Sequence, residues 1–176
     1  VLVDINVDLP SADAGGDNQL TCANPNGLTL NGSGTPSNVT YLWSGPGIGA
    51  NNETEQSPMV TQPGIYILVV TDPVNGCTGS DQAEITQDAN VPDAEGGPDR
   101  TINCAVISVD FDGSGSTTGP DITYQWTGPG ISGPNATAQS PTGLTVPGTY
   151  NRTVTNTSNN CGNTDIVVIK LDTLHP

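Results

Sequence analysis

Tyr41-Leu42-Trp43-Ser44-Gly45-Pro46-Gly47-Ile48 recurs 83 residues later as Tyr124-Gln125-Trp126-Thr127-Gly128-Pro129-Gly130-Ile131. Working outward, Cys22 meets Cys104 at an offset of 82. Pro63-Gly64-Ile65-Tyr66 meets Pro147-Gly148-Thr149-Tyr150, and Cys77 meets Cys161, both at 84. So small a drift is absorbed by single-residue loop changes, and the chain reads as two copies of one domain.

The phase of the repeat assigns the ends. Pro10, Pro92 and Pro176 fall at one phase, and residues 1–9, with Val1, Val3, Ile5 and Val7 alternating against polar neighbours, align with 83–91. Residues 1–10 then read as the closing strand of a preceding repeat, 11–92 as repeat one and 93–176 as repeat two. On this reading the natural protein continues before Val1 and after Pro176; the alternative is a simple extra N-terminal strand. Within repeat one, strand-length pieces between turn signals fall at 19–22, 28–31, 39–44, 56–60, 65–71 and 81–86. Short strands at this spacing, with no helical period, predict two tandem antiparallel β-sandwiches.

Composition agrees. Gly (22) and Pro (15) are frequent, and only 12% of residues are charged, a mixture that favours turns between short strands. Low hydrophobicity with a net charge of −15 raises disorder as a competitor. The alternating apolar runs at 65–70 and 166–169 argue against it. Against 18 acidic residues stand only Lys170, Arg100 and Arg152, too few cations to replace the counterions of nucleic acid or to hold an anionic membrane. No apolar run is long enough to span a bilayer. An acidic surface keeps an extracellular polymer soluble and draws divalent cations.

Cys22, Cys77, Cys104 and Cys161 include no CxxC pair, which argues against zinc and thioredoxin-like chemistry. If each repeat closes on itself, Cys22 pairs with Cys77 and Cys104 with Cys161. Each bridge would close a loop of roughly 56 residues, worth on the order of 4 kcal/mol by chain-entropy reasoning. Disulfides place the protein outside the reducing cytosol.

Asp112-Gly113-Ser114-Gly115-Ser116, Tyr124-x-Trp126, and Gly148-x-Tyr150 with Val154-Thr155 resemble the polycystic-kidney-disease-type (PKD-like) Ig-like domain. The nearest look-alikes are the cysteine-containing versions arrayed in large surface adhesins of gliding and biofilm-forming Bacteroidota. The resemblance covers both copies. Repeat one departs from it with Asn31-Gly32-Ser33-Gly34 at the acidic start, and both copies follow Trp with Gly-Pro-Gly-Ile. It implies Ig-like/PKD-like sandwiches, export, surface anchorage and adhesion with the repeats as stalk or fibre, and no catalysis. The cysteine spacing, unlike that of antibody domains, suggests a bridge from an early strand to the last hairpin.

A catalytic site would stand out from the repeat, and none does. His175 is the only histidine and lies beside the C-terminus, where no Ser-His-Asp arrangement can be built around it. Glu53 and Glu55 suggest an acid/base pair, but they sit in a polar loop and their counterparts are Ala136 and Ala138. The aromatics are claimed by the repeat as Tyr41/Tyr124, Trp43/Trp126 and Tyr66/Tyr150, with Phe111 opposite Leu30. That leaves none for a sugar-stacking platform. An intramolecular isopeptide bond needs a lysine, and repeat one has none. Asp88, Asn90, Asp93, Glu95 and Asp99 cluster at the junction as oxygen ligands suited to Ca²⁺; the competing reading is a solvated acidic linker with Asp capping turns. No other cofactor is expected. Sequons at Asn31, Asn38, Asn52, Asn135, Asn151 and Asn156 arise easily in so Asn/Thr-rich a chain. Asp172-Thr173-Leu174 resembles a short Bacteroidota O-glycosylation motif.

Alternation of side chains puts Tyr66, Leu68 and Val70 on one face of their strand and Ile65, Ile67 and Val69 on the other. Since Tyr66 recurs as Tyr150, its face should be core. Ile65, Ile67 and Val69 then form an outward apolar patch to be covered by a neighbouring chain or a segment of the same chain. Arg152 falls on the core face and needs an acidic partner or a route to solvent. The expected function is a non-catalytic extracellular repeat segment of a surface adhesin or fibre. Its partners are neighbouring repeats of the same chain and, in a fibre, other copies of the protein. A ligand-binding module for glycan or protein, or an accessory domain of a secreted hydrolase, are the alternatives.

Overall fold

The computed structural model describes residues 8–173, and the chain divides between Ala89 and Asn90 into two compact units. Residues 1–7 of the expected closing strand, and His175, lie outside the described residues; Asp8 and Leu9 are not in a strand.

The first unit contains β1 (Ser11–Asp13), β2 (Asn18–Leu20), β3 (Leu28–Thr29), β4 (Ser33–Thr35), β5 (Thr40–Ser44), β6 (Met59–Val60), β7 (Gly64–Thr71) and β8 (Thr78–Gln87). The second contains β9 (Arg100–Ile102), β10 (Ile122–Thr127), β11 (Gly148–Asn156) and β12 (Cys161–Leu171), with a 3-10 turn at Gly133–Ala136. Each unit is built on the same four-stranded sheet, β2-β8-β7-β5 in the first and β9-β12-β11-β10 in the second. The pairings are antiparallel except at one edge, where β2 runs parallel to β8 and β9 parallel to β12. Facing this sheet in the first unit is a thin layer in which β3 pairs with β6. In the second unit the equivalent pairing is the single bridge Val109↔Leu144. All-β throughout, the chain is a tandem of Ig-like sandwiches.

The strands β1 and β4 were not anticipated. They are short and built of small or polar residues, Ser-Ala-Asp and Ser-Gly-Thr, and their pairing is reinforced by a 2.7 Å hydrogen bond between the Ser11 and Thr35 hydroxyls. No hydrophobic alternation announces such strands.

The first core gathers Leu20, Leu30, Trp43, Val60, Tyr66, Leu68, Val70 and Ile85, all buried. The second gathers Ile102, Phe111, Trp126, Leu144, Tyr150, Val167 and Ile169. There Phe111 packs against Trp126 and edge-on to Tyr150, both at 5.1 Å between ring centroids. Each buried Trp or Tyr removes about 200 Å² from water, on the order of 5 kcal/mol before entropy is counted.

The recurring Gly-Pro-Gly turn is explained by these aromatics. The Tyr66 hydroxyl lies between two carbonyls, Pro46 at 2.9 Å and Gln62 at 2.6 Å. Tyr150 does the same with Pro129 and Val146. A Cβ on Gly45 would sit 2.5 Å from the Tyr66 ring, and one on Gly128 would sit 2.5 Å from the Tyr150 ring. The ring therefore lies flat against bare backbone while its hydroxyl closes the turn.

Candidate functional site

The side chains with reactive chemistry in this chain are the four cysteines, and their positions follow from the sheet. At one end of β8 lies the β7–β8 hairpin, where Thr71 pairs with Thr78 and Cys77 immediately precedes the strand. At the other end Leu20 pairs with Gln87, the Asp88 amide donates to the Leu20 carbonyl at 2.9 Å, and Cys22 lies just beyond. β8 holds ten residues, so these ends are about 30 Å apart at the usual strand rise. A disulfide requires Cα atoms within roughly 7 Å. The expected Cys22–Cys77 bridge is therefore excluded by the length of β8.

The second unit repeats the geometry. Cys161 opens the eleven-residue β12. Cys104 lies past Ile102, whose carbonyl accepts from the Asp172 amide at 2.9 Å at the opposite end. Cys104–Cys161 is excluded in the same way. Cys22 and Cys161 are disulfide-bonded, whereas Cys77 and Cys104 are free thiols, the first half-buried and the second exposed. The strands expected within repeat one are present with shifted ends, but the bridge from an early strand to the last hairpin is not made. The early strand runs parallel to the last one and carries its cysteine away from the hairpin.

Each unit thus has an entering pole and a leaving pole. At the entering pole an asparagine in the hairpin holds the incoming chain. The Asn75 amide donates to the Asp8 carbonyl and its oxygen accepts from the Cys77 amide; Asn159 does the same with Asn90 and Cys161. The leaving poles carry Cys22 and Cys104.

Three of the five residues read as calcium ligands are taken up in local structure of the second unit. Asp99 accepts from the Val168 amide and pairs with Lys170 at 3.1 Å. These hydrogen bonds, the amide first, hold its carboxyl below the ordinary carboxylate range. Glu95 accepts from the Gly97 amide, and the Asp93 backbone amide donates to the Thr117 hydroxyl. Asp88 and Asn90 act through backbone groups in the pole hydrogen bonds. Among the described residues no three His, Cys, Asp or Glu side chains are grouped to hold a metal ion. Glu53 and Glu55 lie in a turn, where the Glu53 carbonyl accepts from the Trp43 amide at 2.7 Å. A shallow depression is lined by Asp17, Asn18, Gln19, Glu84 and Thr86; in it the Asp17 carboxylate is engaged by the Glu84 amide.

On β7, Tyr66, Leu68 and Val70 are fully buried. Ile65 and Ile67 are 53% and 41% exposed, and Val69 is half-buried. Their outward face is extended by Leu42 of β5, which pairs with Val69. The corresponding positions of β11 are Thr149, Asn151 and Thr153.

Arg152 stands where repeat one has Leu68, and it is completely buried. One guanidinium nitrogen donates to the Gln139 carbonyl, and the group lies 4.7 Å from the Tyr124 ring and 5.2 Å from the Trp126 ring. Nε and Nη2 have no hydrogen-bond partner. Burial pulls the guanidinium below its ordinary pKa, opposed by Tyr124, Asp165 and Glu95. So Arg152 finds neither a direct acidic partner nor solvent; aromatic faces and a carbonyl serve instead.

No family model and no curated protein matches the chain. Among solved structures, Sidekick-1 immunoglobulin domains 1-4 match at 12% identity with a TM-score of 0.42, over 96% of this chain and 51% of that one. Extracellular domains 3-5 of Drosophila OTK match at 16% and 0.45, over 94% of this chain and 60% of theirs. The PKD domain of human KIAA0319 matches at 18% and 0.34, over 47% of this chain and 84% of that domain. This chain therefore spans about half the length of the first of these.

Proposed function

We propose that this chain is a non-catalytic, extracellular segment of a tandem-repeat adhesin or fibre, serving as stalk or spacer. The observation that carries the reading is the duplication itself. The Tyr–Gly-Pro clamp, the entering-pole asparagine and the leaving-pole amide bond recur residue for residue, and each serves to hold the sandwich. Arg152, a charged side chain that only one copy buries, is sealed in a core. The cystine supports an oxidising compartment. No helix among the described residues is long and apolar enough to cross a membrane.

Self-assembly belongs to the same proposal. Leu42, Ile65, Ile67 and Val69 form an apolar outer face on repeat one, and a second copy of this chain is the partner we assign to it. Immunogold electron microscopy of the producing cells with antibodies to this chain tests the reading. Label along surface fibres or the cell envelope is expected, and label confined to the cytoplasm overturns it.

A further inference from the structure

The outer faces of the two four-stranded sheets carry their apolar residues on different strands. In the first unit Ile65, Ile67 and Val69 lie on β7, and the β8 residues paired with them are Glu84, Gln82 and Ser80. In the second unit the β11 positions are Thr149, Asn151 and Thr153, and their β12 partners are Val168, Ile166 and Thr164. Ile166 is 57% exposed and Val168 is half-buried. The apolar strip has therefore moved one strand across, from β7 to the equivalent of β8. Charge differs as well. Residues 11–92 contain no lysine or arginine, so the first face offers Glu84, its amide bonded to the Asp17 carboxylate, and no cation. The second face carries the exposed Lys170 two residues beyond Val168, paired with Asp99 at 3.1 Å.

We propose that the outer face of repeat one docks on the outer face of repeat two in a second copy of this chain. The proposal deepens the self-assembly reading above and rests on it. Two sheets packed face to face lie about 10 Å apart with their strands nearly aligned. Turning one sheet over about its strand direction reverses its strand order. With the orders β2-β8-β7-β5 and β9-β12-β11-β10, β7 then covers β12, and Ile65 and Ile67 meet Val168 and Ile166. Lys170 falls at the same end of the interface as Glu84, so opposite charges meet there. The same turn applied to two first units sets β7 over β8, an apolar strip against Gln82 and Glu84. Turned end over end instead, two first units bring β7 onto β7, but Glu84 and Asp17 of both copies then share one interface with no cation. Two second units turned that way share only Ile166 and Val168 and leave the larger strip of repeat one uncovered. The unlike pair alone covers that strip and gives its carboxylates a cation. Because the two faces differ, a copy docked through one keeps the other free, and association continues from copy to copy.

Sedimentation velocity on the purified chain over a concentration series tests the inference, with circular dichroism checking that each variant is folded. Ile67→Asn blocks the first face and Ile166→Asn the second, and each should weaken association about tenfold. If Ile166→Asn unfolds, Ile166→Thr takes its place. An equimolar mixture of the two variants should form a dimer and stop there, because one intact face of each kind remains. Glu84→Lys and Lys170→Glu should each weaken association, and both together in one chain should restore it. Association lost in Ile67→Asn but untouched by Ile166→Asn overturns the inference and leaves self-assembly through the first face standing. A mixture that forms no dimer, or a double charge reversal that does not recover, also overturns it. A chain that stays monomeric at every concentration overturns the self-assembly reading together with it.

Discussion

Arg152 and Leu68 occupy one position in two copies of a fold, which makes the cost of a buried cation measurable. The guanidinium leaves two nitrogens without partners, whereas Leu68 fills the same space with no polar atom to desolvate. Replacing a poorly paired buried charge with an apolar side chain is commonly neutral or stabilising. Arg152→Leu should therefore raise the stability of repeat two by about 1–2 kcal/mol in denaturant unfolding, even after the Gln139 carbonyl loses its donor. A loss of stability would show instead that the aromatic faces more than compensate. The tyrosine clamp makes a second prediction. Burial raises the Tyr66 and Tyr150 phenols above the ordinary pKa of 10.0. A proton-binding group with a raised folded pKa contributes stability below its unfolded pKa and loses it as pH climbs through the folded value. Ultraviolet titration should show tyrosine ionisation persisting well above pH 10.0 and ending in alkaline unfolding. Tyr66→Phe with Tyr150→Phe should remove that late step.

Strand β7 carries the contrast between the copies at the scale of an element. Its inner face is shared with β11, while its outer face is apolar where β11 has Thr149, Asn151 and Thr153. Ile67→Asn should leave the melting temperature of repeat one nearly unchanged and weaken self-association in sedimentation; unfolding of repeat one would mean that Ile67 packs as core. Alternation made this face legible from residues alone, because a central strand repeats its inward side chains every second position. The Trp, Tyr and Gly-Pro positions were legible for a similar reason, since two copies constrain one backbone. β1 and β4 were not, because Ser11-Ala12-Asp13 and Ser33-Gly34-Thr35 pair through backbone and hydroxyl groups rather than burial. The cysteine pairing failed for a topological reason. Spacing along the chain says nothing about whether an early strand runs with or against the last, and β2 runs with β8.

For the whole molecule, the position of the cysteines separates redox state from folding. Neither hydrophobic core is closed by a bond between its own two cysteines, so each sandwich should survive reduction. Circular dichroism with and without reductant should show the same sheet content at room temperature, and Cys22→Ser with Cys161→Ser should behave as the reduced protein does. Collapse of either repeat on reduction would return the stabilising role to the cystine. The parallel edge has another consequence. A chain that enters through β1 and β2 and leaves through β8 has three paired positions side by side between β2 and β8, and the second repeat presents the same three between β9 and β12. Tension on the two ends would drag these neighbours in opposite directions along their length, loading the rungs together in shear rather than peeling them singly. A stalk made of such units would yield under pull only when a whole row lets go at once.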